Sequence, residues 1–449
     1  MLLAPAWQRL LVAGAVVAGL WAAVLWVAPY TSSTSPAQPA VHIAARPDTA
    51  PVAADGPVRV IVRSGQMAPD GGRFDRFDVT SQPVVAPVNA RGQVAFYATV
   101  LRSPAREGVF IADAGHVTKA AAFGDPVPGG GTLAEFAEHP VPSLNAAGRV
   151  AFVAQIAGGR ATEGIFLAGE GSLRAVALAG DDAPGVPTGV MVGFDDPALN
   201  DNDEIAFVAS VRRERDVMDV AYFWNGRRLQ RVVAEGDRLL RIGGKMGRIG
   251  VPALNNVGVI AFPASILKGP VLGGIFVAGA RDLRLVVTAG DRLDDGALIL
   301  RFSERVAIDD EDGIAFGAYL GGQTGQREAV LRTGPDGLAV VAIEGAQAPG
   351  GGRYAGFGPW PTVAPGGVTA FVAALDGGLG PLAAFAGPLG EIRPIATMGE
   401  ILPGGERIGR FALNAVAVAG SGGRLTFATV AQNETEWNAI RCRCPAQAR

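Results

Sequence analysis

At 449 residues, with 39 Lys and Arg against 42 Asp and Glu, the chain carries a formal net charge of −3. That length could hold two or three ordinary domains, and that charge lacks the basic excess a nucleic-acid binder needs. Only three histidines occur, His42, His116 and His139, and the two cysteines, Cys442 and Cys444, stand at the far C-terminal end. This excludes a disulfide framework and a CxxC-type zinc site, and no cofactor is implied.

Residues 1–9 end in Arg9, and residues 10–30 then run for 21 positions without a charge. At ~1.5 Å per residue a helix of that length spans about 31 Å, close to the hydrocarbon core of a bilayer. Trp26 and Tyr30 stand where amphipathic rings favour the outer interface, and no Lys or Arg follows until Arg46. The expectation is a single-pass anchor in a bacterial inner membrane. Residues 1–9 would be cytoplasmic and the remainder periplasmic or extracellular. A cleaved signal peptide is the alternative, although its apolar region is normally shorter, about 7 to 15 residues. Residues 31–57, rich in Ser, Thr, Pro and Ala, read as a flexible tether.

From residue 58 onward one short element repeats. Its second copy is Asn145-Ala146-Ala147-Gly148-Arg149-Val150-Ala151-Phe152, and its last residue recurs as Phe96, Phe152, Phe207, Phe262, Phe316, Phe371 and Phe427. The steps between these are 56, 55, 55, 54, 55 and 56 residues, a period that signals an array of supersecondary units. The NxxGxxAF pattern resembles the bacterial tandem-repeat family named for that motif, whose members carry varied anchors. The resemblance covers roughly residues 58–440 and implies an architecture but no activity.

Each repeat reads as four short strands. In the second copy these are residues 141–144, 150–156, 164–168 and 173–179, each bounded by turn residues. Asn and Gly at the first and fourth positions of the NxxG turn suit a type I turn followed by a left-handed residue. Asp203 and Asp312 replace that glycine in two copies, and Pro365 compensates in the sixth, where Ala364 replaces the Asn. Four antiparallel strands per repeat is the blade of a β-propeller.

A second element, Gly124-Asp125 in the first copy, ends the fourth strand of the first six repeats, and the seventh lacks room for it. The spare strand lies at the other end, because residues 58–65 (VRVIVRSG) match 173–180 (LRAVALAG). The expected fold is therefore all-β: a seven-bladed propeller over residues 58–441, closed by its N-terminal strand and preceded by one transmembrane helix. Residues 442–449 are left as a tail, and its cysteines as a strained two-apart disulfide, an interchain bridge or free thiols.

Strand direction puts the NxxG turns on one face and the longer, variable loops on the other. On that second face Arg212, Arg213 and Arg215 in blade three, Arg238, Arg241, Lys245 and Arg248 in the connection to blade four, and Lys268 in blade four form a candidate basic patch for an acidic ligand. Glu214, Asp216 and Asp237 are interleaved with them and would neutralise an ordinary solvated surface. The run Asp309-Asp310-Glu311-Asp312-Gly313 reads as an acid-rich turn, since it lacks the spacing of a calcium loop. The repeated Asp of Gly-Asp reads as an acceptor for backbone N–H groups. No nucleophile, base or metal-ligand constellation presents itself. The leading expectation is a membrane-anchored extracytoplasmic module that binds a glycan, peptide or protein partner. A polysaccharide hydrolase or lyase acting at the central channel, and a structural envelope protein, are the alternatives. An enzyme should gather acids or tyrosines around the channel mouth.

Overall fold

The computed structural model describes residues 57–443 apart from 78–82, 137–140, 170, 280–281, 323–324, 336, 379, 403–404, 412–415, 421–422 and 433–435. The expected anchor at 10–30, nearly all of the tether, and Cys444 lie outside the described residues. Among the described residues no helix is long and apolar enough to cross a membrane.

The strands form seven antiparallel sheets, one per repeat, arranged as the blades of a propeller. Blade three shows the pattern. Ile205–Arg213, Asp216–Trp224 and Leu229–Ala234 run side by side as its second to fourth strands. Its first strand is in two pieces, Val190–Phe194 and Ala198–Leu199, and both pair with Ile205–Arg213. Pro197 stands at that break and has no N–H to offer the ladder. This corrects the expected boundaries. In blade two the first strand starts upstream at Thr132–Leu133 and resumes at Ser143–Leu144. The long blade-to-blade connections likewise run into strand, at Val190–Phe194 before blade three's central strands and at Lys245–Ile249 in the connection to blade four.

The ring closes as expected. Val58–Arg63 pairs antiparallel with Glu436–Arg443, with Val60 opposite Arg441 and Val62 opposite Ile440. The last strand runs further than the sequence indicated. Cys442 is therefore inside the seventh blade, fully buried and disulfide-bonded, rather than in a tail.

The repeated phenylalanines are all 0 or 1 % exposed. Each faces a partner on the third strand, and in most blades that partner is a ring. Phe152 stacks between Phe136 and Phe166, Phe371 on Phe385, and Phe262 on Phe276 at 5.7 Å. One row of aromatic contacts thus crosses each of these sheets, and such pairs add to the burial of the rings themselves. Blade seven breaks the row. Arg441 stands opposite Phe427, fully buried, and pairs with Glu406.

Junctions between blades use two repeated hydrogen bonds. The glycine of Gly-Asp holds a positive φ and its N–H donates to the next blade's innermost strand. Gly124 bonds the Leu133 carbonyl, Gly180 that of Met191, Gly236 that of Met246 and Gly290 that of Ile299, all at 2.7 to 2.8 Å. The following acid accepts a backbone N–H of its own turn, as Asp125 does from Ala122 and Asp237 from Ala234. That is the role expected of it.

At the other end of the channel lies the NxxG ring. Each Asn uses its Oδ1 to accept N–H groups of its own turn, as Asn200 does from Asn202 and Glu204. Its Nδ2 donates to the backbone carbonyl of the next blade's equivalent residue. Asn89 bonds Asn145, Asn145 bonds Asn200, Asn200 bonds Asn255 and Asn255 bonds Asp309, at 2.9 to 3.3 Å. The drifted copies keep the link by other means. Asp309 cannot donate, and Arg332 bridges its carboxylate to the Gly367 carbonyl. Thr362 takes over for Ala364 by donating to Ala417, and Thr426 closes the ring onto Ala86. Asp203 and Asp312 hold φ of 62° and 63° in the glycine slot, within reach of aspartate though unfavourable for most residues.

Asn200→Asp should keep the turn, which needs only an acceptor, and lose the link to blade four while setting a carboxylate against the Asn255 carbonyl. The expected cost is about 2 kcal/mol, read as a lower urea midpoint at unchanged slope. A variant as stable as the parent would remove the ring from any role in stability.

Candidate functional site

Both faces of a blade pack on neighbouring blades, so an exposed side chain midway along an innermost strand reaches solvent through the channel. One level of that wall is polar. Opposite Thr99, Gln155, Ser210, Ser265, Tyr319, Ala374 and Val430 of the second strands stand Arg76, Glu135, Gly193, Arg248, Arg301, Gly356 and Arg410. The four arginines and Glu135 are exposed, and none of the arginines has an ion-pair partner among the described residues. Arg301 lies 3.7 Å from the centre of the Tyr319 ring.

The third strands continue the layer with carboxylates at Glu107, Glu163, Asp219 and Glu328. Two of these clasp the next blade at the strand that lines the channel. Asp219 accepts the Ile249 N–H at 3.2 Å and Glu328 accepts the Phe357 N–H at 3.0 Å.

Between blades three and six the layer thickens into a charged cluster. Arg305 in blade five pairs with Asp196 in blade three, across blade four, and its guanidinium lies 4.4 Å over the Trp360 ring of blade six. Such a reach is possible only where the innermost strands converge. Asp195 sits beside this pair. Burial is the main cause that lifts its carboxyl pKa to about 6, the nearby Asp219 charge adds to it, and Arg305 and Arg248 oppose it. Burial also raises Asp219 above the ordinary carboxylate range. Arg305 is lowered to about 10, chiefly by burial. The cluster can hold a proton on Asp195 up to about pH 6 beside positive charge.

The expected basic patch divides. Arg212, Arg213, Arg215, Arg238, Arg241, Lys245 and Lys268 lie exposed on the loop face of blades three and four. The backbone of Lys245 pairs with that of Arg238 and with that of Leu267, next to Lys268. The loops carrying them touch: a Cβ on Gly244 would lie 2.7 Å from Gly269. Arg248, at the inner end of Lys245–Ile249, is instead a channel residue. Of the interleaved acids, Asp237 is engaged by Arg231 at 2.5 Å and so does not neutralise the patch. Leu240, Leu272 and Val217 stand among these cations, 90, 82 and 59 % exposed. The acid-rich turn holds as a turn: Asp309 accepts the Gly313 N–H and pairs with Arg332. At the NxxG end a depression of about 160 Å³ is lined by the turns themselves.

The channel layer had a faint signal in the sequence. Its members do not keep the period, since Arg76 precedes its phenylalanine by 20 residues and Arg248 by 14. What they share is the large apolar residue that follows each arginine, Phe77, Ile249, Phe302 and Phe411.

A protein-family model matches residues 101–225 and 217–402. The chain belongs to DUF7453, a family of unknown function. A comparison with curated proteins found no match. Among solved structures this family member is similar to an oligogalacturonate lyase in complex with manganese, at 10 % identity and TM-score 0.47, over 88 % of this chain and 99 % of that one. It is similar to a polysaccharide lyase at 9 % identity and TM-score 0.46, over 84 and 94 %. The acylaminoacyl peptidase of Pyrococcus horikoshii matches at 11 % and 0.45, over 82 % of this chain and 52 % of that one. At such identities the likeness concerns the propeller alone.

Asp195 gives a pH signature. Between about pH 4 and pH 6 the folded chain holds a proton that the unfolded chain has released, so stability falls as pH rises through that window. Asp195→Asn should flatten this fall and add at most about 3 kcal/mol above pH 7. Denaturation midpoints measured from pH 4 to pH 8 check it, and parallel profiles for parent and variant would contradict it.

Proposed function

We propose that the protein is a membrane-tethered, extracytoplasmic binding module of the NxxGxxAF tandem-repeat kind, whose propeller takes an acidic partner on its loop face. The observation that carries the reading is the set of seven exposed cations on blades three and four with no ion-pair partner among the described residues. Only Glu214 and Asp216 stay interleaved with them once Asp237 is engaged elsewhere. Unpaired surface charge of one sign steers an oppositely charged partner, and exposed leucines in its midst add apolar contact once the partner is seated. The partner class is an acidic glycan, peptide or protein.

A second reading, a polysaccharide-acting hydrolase or lyase working in the channel, is favoured by one observation: Asp195, between the two pieces of blade three's innermost strand, lies within electrostatic reach of Asp219, Glu304, Arg248 and Arg305. A carboxyl that keeps its proton near pH 6 is suited to general acid catalysis.

Retention on immobilised heparin and on polyglutamate tests the binding reading. The protein should bind both and elute with salt, and a variant with Arg212, Arg213 and Arg215 all changed to Ala should weaken at least ~10-fold with a shallower salt dependence. Equal retention of parent and variant would dismiss the patch. Release of new reducing ends or unsaturated sugars from acidic polysaccharides, lost in Asp195→Asn, would move the choice to the enzyme. Separately, membranes washed at alkaline pH should keep the full chain; a soluble form starting between about residues 30 and 41 would show that residues 10–30 are cleaved.

A further inference from the structure

We propose that the channel holds a second binding site, distinct from the outer patch, in which Arg76, Arg248, Arg301 and Arg410 take the anionic groups of an acidic oligosaccharide. The four side chains occupy one register position on the innermost strands of blades one, four, five and seven. Blades seven and one are neighbours, as are four and five, so the arginines form two pairs on different sides of the channel. Each is exposed, and none has an ion-pair partner among the described residues. A guanidinium presents a planar fork suited to carboxylate or sulfate.

The site departs from what a structural role would produce. Residues that hold the blades together recur in nearly every repeat, as the phenylalanines and the Gly-Asp glycines do. The arginines occupy four of seven equivalent positions, and Gly193 and Gly356 show that the fold accepts an empty one. A merely solvated charge would also have no reason to recur at the one level of the sheets that faces the channel. Protein walls of low dielectric strengthen repulsion between like charges, and the same walls focus their field on an entering anion.

The rest of the wall narrows the ligand. Glu135 shares the arginine level, and Asp195 lies within electrostatic reach of both Arg248 and Glu304. A simple polyanion would be repelled by these acids. A sugar chain offers hydroxyl donors to carboxylates and anionic groups to arginines at the same time. Tyr319, already stacked on Arg301, supplies an aromatic rim at that level.

The experiment is calorimetric titration of the full chain with a tetraglucuronate, with cellotetraose as the neutral control of equal length. One-to-one binding of the acidic sugar is expected, with a rise in melting temperature because ligand binds the folded state alone. The double variants Arg76→Ala/Arg410→Ala and Arg248→Ala/Arg301→Ala should each weaken binding at least ~10-fold. Changing Arg212, Arg213 and Arg215 to Ala should alter it less than ~2-fold. Glutamine variants replace the alanine ones if circular dichroism shows a lost fold. Binding weakened by the outer variant alone would overturn the channel site and leave the outer patch standing. No binding of the tetraglucuronate, or equal binding of cellotetraose, would also overturn it, while retention on heparin continues to report on the patch by itself.

Discussion

A side-chain amide that reaches from one blade to the backbone of the next is the interaction on which this propeller depends. An asparagine has two useful ends. Its oxygen locks the turn that carries it, and its nitrogen ties that turn to the neighbour. No other residue of that size supplies both at once, which explains why the letter recurs at a fixed period. The bonds lie where the blades come closest together and where water has least access, so each is worth more there than on the surface. Around this narrow end the aromatic rows fill the blades, and the Gly-Asp corners set where each chain segment passes to the next sheet.

The exceptions bear the same logic out. Where Asp309 replaces asparagine, the lost donor is restored by Arg332, which neutralises the carboxylate and bonds Gly367 together. Where Ala364 removes the side chain, Thr362 two residues earlier takes the link. The constraint therefore acts on the hydrogen bond and not on the residue type. Sequence drift at Ala364 or Gly420 does not mark a missing blade.

The blade count, the buried phenylalanines and the closing strand were legible because each is dictated once per repeat by local chemistry. The two-piece first strand was not, since its upstream half is short, follows a variable connection and pairs at one end only. The channel layer escaped for a related reason. Its residues keep their place in the sheet but not in the sequence, because insertions between the two halves of the innermost strand shift Arg76 and Arg248 by different amounts. The outer cations could be read in the sequence as a cluster on three loops of blades three and four. The sequence could not say that Asp237 is spoken for by Arg231, nor that Arg248 turns inward, for both depend on side-chain direction within a strand. Nothing in the sequence sets Asp195 and Asp219 apart from other acids, because burial and mutual proximity are properties of the fold.

The closing strand has a consequence for how the molecule is made. Val58–Arg63 is the first of the described strands to be synthesised, yet its partner ends at Arg443. At about 5 to 20 residues per second, translation separates the two by roughly 20 to 75 seconds. During that interval the seventh sheet does not exist, and the first and sixth blades each have a face with nothing packed on it. Those unpaired surfaces are hydrophobic and sticky. The pairing of Val58–Arg63 with Glu436–Arg443 must wait for the far end of the chain, so closure of the ring comes last, after the other sheets can already have formed.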